Sequence, residues 1–213
     1  ATMAREKGLE PLADQIWNGG AMAGGLPAMA RSYVNSELGV STIDEALAGA
    51  SDILAERMAD DAAVREDSRR IAWQSGRLRV AATKQGLEKG QDFRDYFDHE
   101  EAVTKTPPHR VMAMNRGEKE EMLRIGFDWD ADRAQSTCLR RLGLERHPHR
   151  AFLEATVADA LKRLVLPSME REVRREMTEQ AERHAVEVFA KNLRNLLLQP
   201  PVRGQRALAI DPG

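Results

Sequence analysis

Side chains able to bind metals or attack substrates are scattered through this sequence, and few stand at spacings that chemistry uses. Asp98-His99-Glu100-Glu101 sets three carboxylates around an imidazole, and His147-Pro148-His149 sets two imidazoles either side of a proline. Protein zinc sites draw on defined Cys and His spacings, and neither a His-Glu-x-x-His nor a Cys-x-x-Cys pattern occurs in the chain. The acidic cluster therefore reads as a solvated helix end, and the two histidines are expected to diverge. Cys138, the single cysteine, has no evident nucleophilic partner and reads as a core or semi-exposed thiol. His184 falls on an apolar helical stripe and reads as a partly buried packing residue. The glycines of Asn18–Pro27 lack the Gly-Lys-Ser/Thr ending of a phosphate-binding loop and read as a connector. Asp211 closes a short alternating stretch, but two-metal phosphodiester cleavage needs several carboxylates holding cations about 3.5–4 Å apart. No catalytic residue, metal or cofactor is expected of this chain by itself.

The 32 basic and 34 acidic residues nearly cancel, which excludes a uniformly basic nucleic-acid binder. They are not mixed evenly. Residues 44–67 carry eight acids and two bases, whereas residues 69–89 carry six bases and one acid. Residues 133–150 carry five arginines, Arg133, Arg140, Arg141, Arg146 and Arg150, against one glutamate. A basic surface facing solvent can contact phosphates, and each phosphate it neutralises steepens the salt dependence of binding. Aromatic side chains that could stack on bases are nearly absent from both basic stretches, Trp73 being only adjacent. The five arginines of 133–150 are thus candidate phosphate contacts. Pairing with the acidic helices inside the fold is the competing use for them.

The elements that must position these residues are mostly helical. Leu9–Trp17 reads as a first helix, ended by Asn18-Gly19-Gly20. Thr42 and Glu45 have the spacing of a capping box, and Ile43, Leu47, Ala50, Ile53, Leu54 and Met58 follow as one apolar stripe. Val64–Ser75 predicts another helix, stopped by Gly76. The period then drops to two. Leu78, Val80 and Ala82 alternate with their neighbours, as do Leu123, Ile125, Phe127 and Trp129, so short strands near 78–84 and 123–129 are expected to pair. Between them the aromatics of Phe93-Arg94-Asp95-Tyr96-Phe97 share a helical face, and Pro107-Pro108 introduces a further helix. Pro148 suits the first position of a helix that Pro167 ends or sharply kinks. From Ser168 to about Leu198 a stripe runs through Met169, Val173, Met177, Ala181, His184, Val188, Leu193 and Leu196. It contains no glycine or proline and predicts a helix of roughly 45 Å, long enough to serve as a spine between lobes.

The fold class that follows is mainly α, a multi-helical scaffold with a long central helix and one or two short strand pairs. Aromatics at 5% argue against a β-sandwich or barrel. Hydrophobic residues at 42% and charged residues at 31% exclude a disordered tail and a membrane protein. A single cysteine fits a reducing cytoplasm. The polar opening Ala1–Lys7 does not resemble a signal peptide and reads as mid-protein sequence. Arg206–Gly213 reads as a strand reaching a carboxylate, and a strand without a partner is expected to open a further domain.

Several stretches resemble the Tex family of bacterial transcription accessory proteins. Ala4-Arg5-Glu6-Lys7-Gly8-Leu9-Glu10-Pro11-Leu12-Ala13 is similar to the start of that family's helical region. Phe93–Glu100 resembles its aromatic-acidic segment, and Thr106-Pro107-Pro108-His109-Arg110 with Arg116-Gly117 its next helix. The most specific block is Ala185–Leu198, continuing through Pro200-Pro201 to Ile210-Asp211-Pro212-Gly213. The glycine-rich Asn18–Pro27 departs from the family. The resemblance implies a helical region over residues 1–205 and the first strand of a YqgF-type, RNase H-like domain over 206–213. It implies a fragment of a larger cytoplasmic protein, not itself catalytic, whose full-length form binds RNA or single-stranded DNA mainly through domains outside this sequence. RNA polymerase or other transcription machinery is an implied partner. One alternative is a protein-interaction module docking through the acidic faces around Asp44–Asp67 and Asp92–Glu101. Another gives Asp211 a metal-binding role in an RNase H-like nuclease formed by the intact protein.

Overall fold

The computed structural model describes residues 1–20, 23–200, 204 and 208–211. Three short helices, α1 (Thr2–Glu6), α2 (Glu10–Trp17) and α3 (Gly25–Arg31), pack on the longer α4 (Ile43–Asp60). The capping box forms as the spacing predicts: the Glu45 amide donates to Thr42 Oγ1 at 3.1 Å, and Glu45 Oε2 accepts from the Ser41 amide at 2.6 Å. Ala46, Ala50, Ile53, Leu54 and Met58 carry the buried face of α4, while Ile43 and Leu47 are only partly covered. Gly49 permits the approach of the chain between α1 and α2, since a Cβ there would collide with Leu9. The connector expected over Asn18–Pro27 is shorter than its glycines indicate. Gly24, at φ +98°, turns the chain directly into α3.

Asp61 ends α4 and caps α5 (Ala62–Ser75), its Oδ1 accepting from the Ala63 and Val64 amides at 2.9 Å. The chain then enters β1 (Arg77–Ala82), followed by α6 (Lys84–Lys89), β2 (Asp98–Ala102), α7 (Pro108–Lys119) and β3 (Leu123–Asp128). The strands form an antiparallel sheet in the order β2-β1-β3, so the two expected strands do pair, with Val80 opposite Ile125. Leu78 and Ile125 face inwards, lining a small void with Val111 and Met114 of α7.

The third strand corrects the reading of Asp98-His99-Glu100-Glu101 as a helix end. These polar residues pair with β1 because the charges on the two strands are complementary: Glu100 lies opposite Arg79, accepts from Arg77 Nε and sits 3.4 Å from Arg79 Nε. The aromatic segment before it forms a 3-10 turn over Gln91–Tyr96, with Phe93 buried.

The last third runs through α8 (Ala131–Arg141) and α9 (Arg150–Ala160) into α10 (Leu166–Leu197). Pro167 does not end the helix. A π turn over Leu161–Val165 precedes it, and the wider turn accommodates a ring that lacks an N–H and would strike the carbonyl four residues back in a regular helix. Met169, Val173, Met177 and Ala181 of α10 are buried against the body, and every described residue from Glu182 onwards is exposed. His184 is therefore a surface residue, not a packing one. Half of the expected strand over 206–213 lies outside the described residues; the described half, Leu208 to Asp211, forms no helix or strand.

Candidate nucleic-acid interface

The five candidate arginines lie along one continuous stretch, α8, a 3-10 turn over Leu144–Arg146, and the start of α9. Asp130 starts α8 by accepting from the Arg133 amide at 3.0 Å. Ala134, Cys138 and Leu139 turn inwards, which leaves Arg133, Thr137 and Arg140 at helical spacing on the outer side. Gly143, at φ +69°, stops the helix and releases the chain into the short turn that carries Arg146.

The side chains divide by what they already touch. Arg141 is the most committed: its Nε donates to Asp67 Oδ2 at 2.7 Å. Arg133 donates to Gln74 Oε1 at 2.8 Å, and Arg150 sits 3.5 Å from Glu154 Oε2. Arg140 and Arg146 are exposed and make no ion pair among the described residues. The other basic block is differently placed. Arg69 pairs with Glu172, Arg70 with Asp67, Arg77 with Glu100, and Arg79 with Asp128 at 2.9 Å. All four of its arginines are matched by acids, leaving Lys84 and Lys89 without an ion pair among the described residues, whereas three of the five arginines of 133–150, Arg133, Arg140 and Arg146, make none.

Asp67 on α5 is the residue that sequence reading missed. It was one acid in a run of eight, yet it is only 4% exposed, and both of its oxygens are held by guanidinium groups, Oδ1 by Arg70 and Oδ2 by Arg141. The Arg141 hydrogen bond, ahead of the opposing effect of burial, holds its carboxyl below the usual carboxylate range. Asp67, Arg70, Thr137, Arg140 and Arg141 line a polar cleft of about 340 Å³. The three-residue step from Asp67 to Arg70 is the only part of this arrangement visible in sequence.

The remaining candidates for chemistry have structural uses. His147 and His149 converge, contrary to expectation: their Nε2 atoms lie 3.0 Å from the Trp17 carbonyl and 2.8 Å from that of Gly20. The His149 amide donates to His147 Nδ1, which leaves the proton of His147 on Nε2, facing Trp17. The pair thus closes carbonyls at the C-terminal end of α2. Cys138 is buried, and burial, with Asp61 and Asp67 nearby, pushes its thiol up to about 12. Among the described residues no group of three or more His, Cys, Asp or Glu could hold a metal ion. No helix among them is long and apolar enough to cross a membrane.

The chain is 39% identical over 214 residues to YdcI of Bacillus subtilis (strain 168), covering 100% of this chain and 30% of that protein. It is 31% identical over 221 residues to the transcriptional accessory protein Tex of Neisseria gonorrhoeae, covering 100% of this chain and 28% of that one. With the human S1 RNA-binding domain-containing protein 1 it shares 29% identity over 196 residues, 85% of this chain and 20% of that one. The chain thus spans less than a third of the length of these relatives. Residues 27–189 match the family model described as Tex central region-like, and the chain belongs to the Tex family.

Proposed function

We propose that this chain is the helical scaffold of a Tex-type transcription accessory protein and that its α8–α9 ridge contacts the backbone of a nucleic acid. The observation that carries the reading is the asymmetry between the arginines of the two basic blocks: all four of 69–89 are held in ion pairs, while Arg140 and Arg146 are exposed without ion pairs among the described residues. Arg133, Arg141 and Arg150 flank them and retain unused N–H donors. The ridge has no aromatic platform, so it reads backbone charge and not base identity. In this reading the chain catalyses nothing. It holds other modules of the longer protein in place, residues 206–213 opening the next of them, in the cytoplasm.

Docking on RNA polymerase through the acidic faces has less support, because many of those acids are already engaged. Asp52 pairs with Arg163, Glu56 with Arg5, Glu100 with Arg77 and Glu101 with Arg110.

The test is titration of the protein with single-stranded RNA and duplex DNA at several salt concentrations. Arg140→Ala and Arg146→Ala should each weaken binding and reduce the slope of log affinity against log salt by about 0.7 for a single strand. Arg79→Ala, which removes a paired arginine, should leave the slope unchanged. Equal effects from all three variants, or no salt-dependent binding at all, would overturn the proposal.

A further inference from the structure

A carboxylate buried as deeply as Asp67 is costly to desolvate, and two half-exposed arginines offset that cost here. The consequence for those arginines is geometric. Arg141 is anchored through Nε, leaving both Nη groups uncommitted, and Arg70 is anchored through Nη2, leaving Nε and Nη1. Arg140, adjacent on the last turn of α8, acts on Asp67 through its charge alone and makes no ion pair among the described residues. Thr137, one turn earlier, adds a hydroxyl to the same cleft. Three guanidinium groups and one hydroxyl therefore surround about 340 Å³ of space, against a single carboxylate whose two oxygens are both occupied. Asp61 and Glu66 also act on Arg141, but Asp61 is spent on the start of α5.

Other clefts on the surface differ in sign. The groove between α7 and α10 balances Arg171, Arg174 and Arg175 with Glu118, Glu170 and Glu179. The cleft between α5 and α10 balances Arg65 and Arg69 with Glu66 and Glu172. The one along the outer part of α10 is mainly acidic. Only the Asp67 cleft, among these, combines a cation excess with a walled space.

We infer that this cleft is a binding pocket for one phosphate group, in which Asp67 is a positioning residue that fixes Arg70 and Arg141 beside Arg140. The inference deepens the proposed backbone contact and rests on it for the source of the phosphate, a nucleic-acid strand. Planar guanidinium groups bind phosphate oxygens through paired N–H donors, and donors fixed in advance lose less freedom on binding.

The decisive variant is Asp67→Asn. It makes the cleft more positive, so attraction by charge alone predicts tighter binding of an RNA oligonucleotide, whereas a positioned pocket predicts weaker binding. The expected result is a loss of about tenfold, the equivalent of one charge-assisted hydrogen bond. Arg140→Ala and Thr137→Val, which leave Asp67 and its partners intact, should also weaken binding, and they keep the test valid if Asp67→Asn fails to fold. Two oligonucleotides of one sequence, with a 5′-phosphate or a 5′-hydroxyl, separate the sources. Preference for the phosphorylated strand that disappears in Arg140→Ala identifies a terminal phosphate; equal binding of both, weakened in Arg140→Ala, identifies an internal phosphodiester.

Inorganic pyrophosphate, read by thermal shift, tests the pocket without nucleic acid. A shift present in the wild type and absent in Arg140→Ala supports the pocket even if no oligonucleotide binds, in which case only the backbone-contact reading fails. Unchanged or tighter oligonucleotide binding in Asp67→Asn and Thr137→Val, together with no pyrophosphate shift, overturns the pocket; weaker binding in Arg140→Ala and Arg146→Ala would then leave the ridge contact standing.

Discussion

Asp67 shows how a single side chain can serve stability and recognition together. Its carboxyl is held below the ordinary range of about 3.9, first by the Arg141 hydrogen bond and then by the charges of Arg141 and Arg70, against the opposing effect of burial. A carboxyl whose pKa is lower folded than unfolded contributes stability that is fully present above the unfolded value. That contribution is lost as pH falls through the folded value. Asp67→Asn should therefore lower the melting midpoint by a few degrees at neutral pH. The difference from the wild type should stay constant down to about pH 5 and close below about pH 4. A difference that persisted undiminished at pH 3 would mean that packing, not charge, explains the loss. Only the three-residue step to Arg70 is legible in the local sequence, because Arg141 lies 74 positions from Asp67. Cys138 was legible in part: the lack of an evident nucleophilic partner left it a core or semi-exposed thiol, and the structure buries it, its thiol pushed up to about 12.

At the level of elements, what could be read was what local chemistry dictates. The capping box before α4 is set by residues within four positions of one another, and it forms as the spacing requires. Thr42→Ala removes the acceptor for the Glu45 amide. It should cost about 1 kcal/mol and lower the melting midpoint by about 2–4 °C, measured by thermal denaturation, while Thr42→Ser should restore most of the loss. Strands β1 and β3 were equally legible, since their alternation marks a half-buried sheet. Strand β2 was not. Asp98–Ala102 has the composition of a loop and becomes a strand because Arg77 and Arg79 of β1 present charges that Glu100 answers. The sign alternation between distant segments was the available signal, and it has meaning only once the two are known to be neighbours. Pro167 misled for a related reason: a proline breaks a regular α-helix, but the π turn before it changes which carbonyl the ring would meet.

For the whole molecule, the mainly α architecture follows from composition and period, but the extent of its body does not. The apolar stripe of α10 continues at helical spacing well past Ala181, and nothing in that spacing says where the neighbouring helices stop. In the structure Met169, Val173, Met177 and Ala181 are buried, whereas Val188, Leu193 and Leu196 of the same stripe are 44%, 42% and 62% exposed. The inner half of α10 packs against α5 and α7 and is fastened to α7 by Arg174, whose Nη1 donates to Glu118 at 3.0 Å. From Glu182 to Leu197 the helix extends about 24 Å beyond its last buried residue, held by backbone hydrogen bonds and its anchored inner end. An unpacked helix of that length is marginal in water. Hydrogen exchange should therefore show strong protection from Met169 to Ala181, with a step down after Ala181 and faster exchange out to Leu197. Uniform protection along all of α10 would require packing on the outer half that the described residues do not supply. A step at Ala181 would mark the edge of the cooperative body, with α8, α9 and the Asp67 cleft on its stable side.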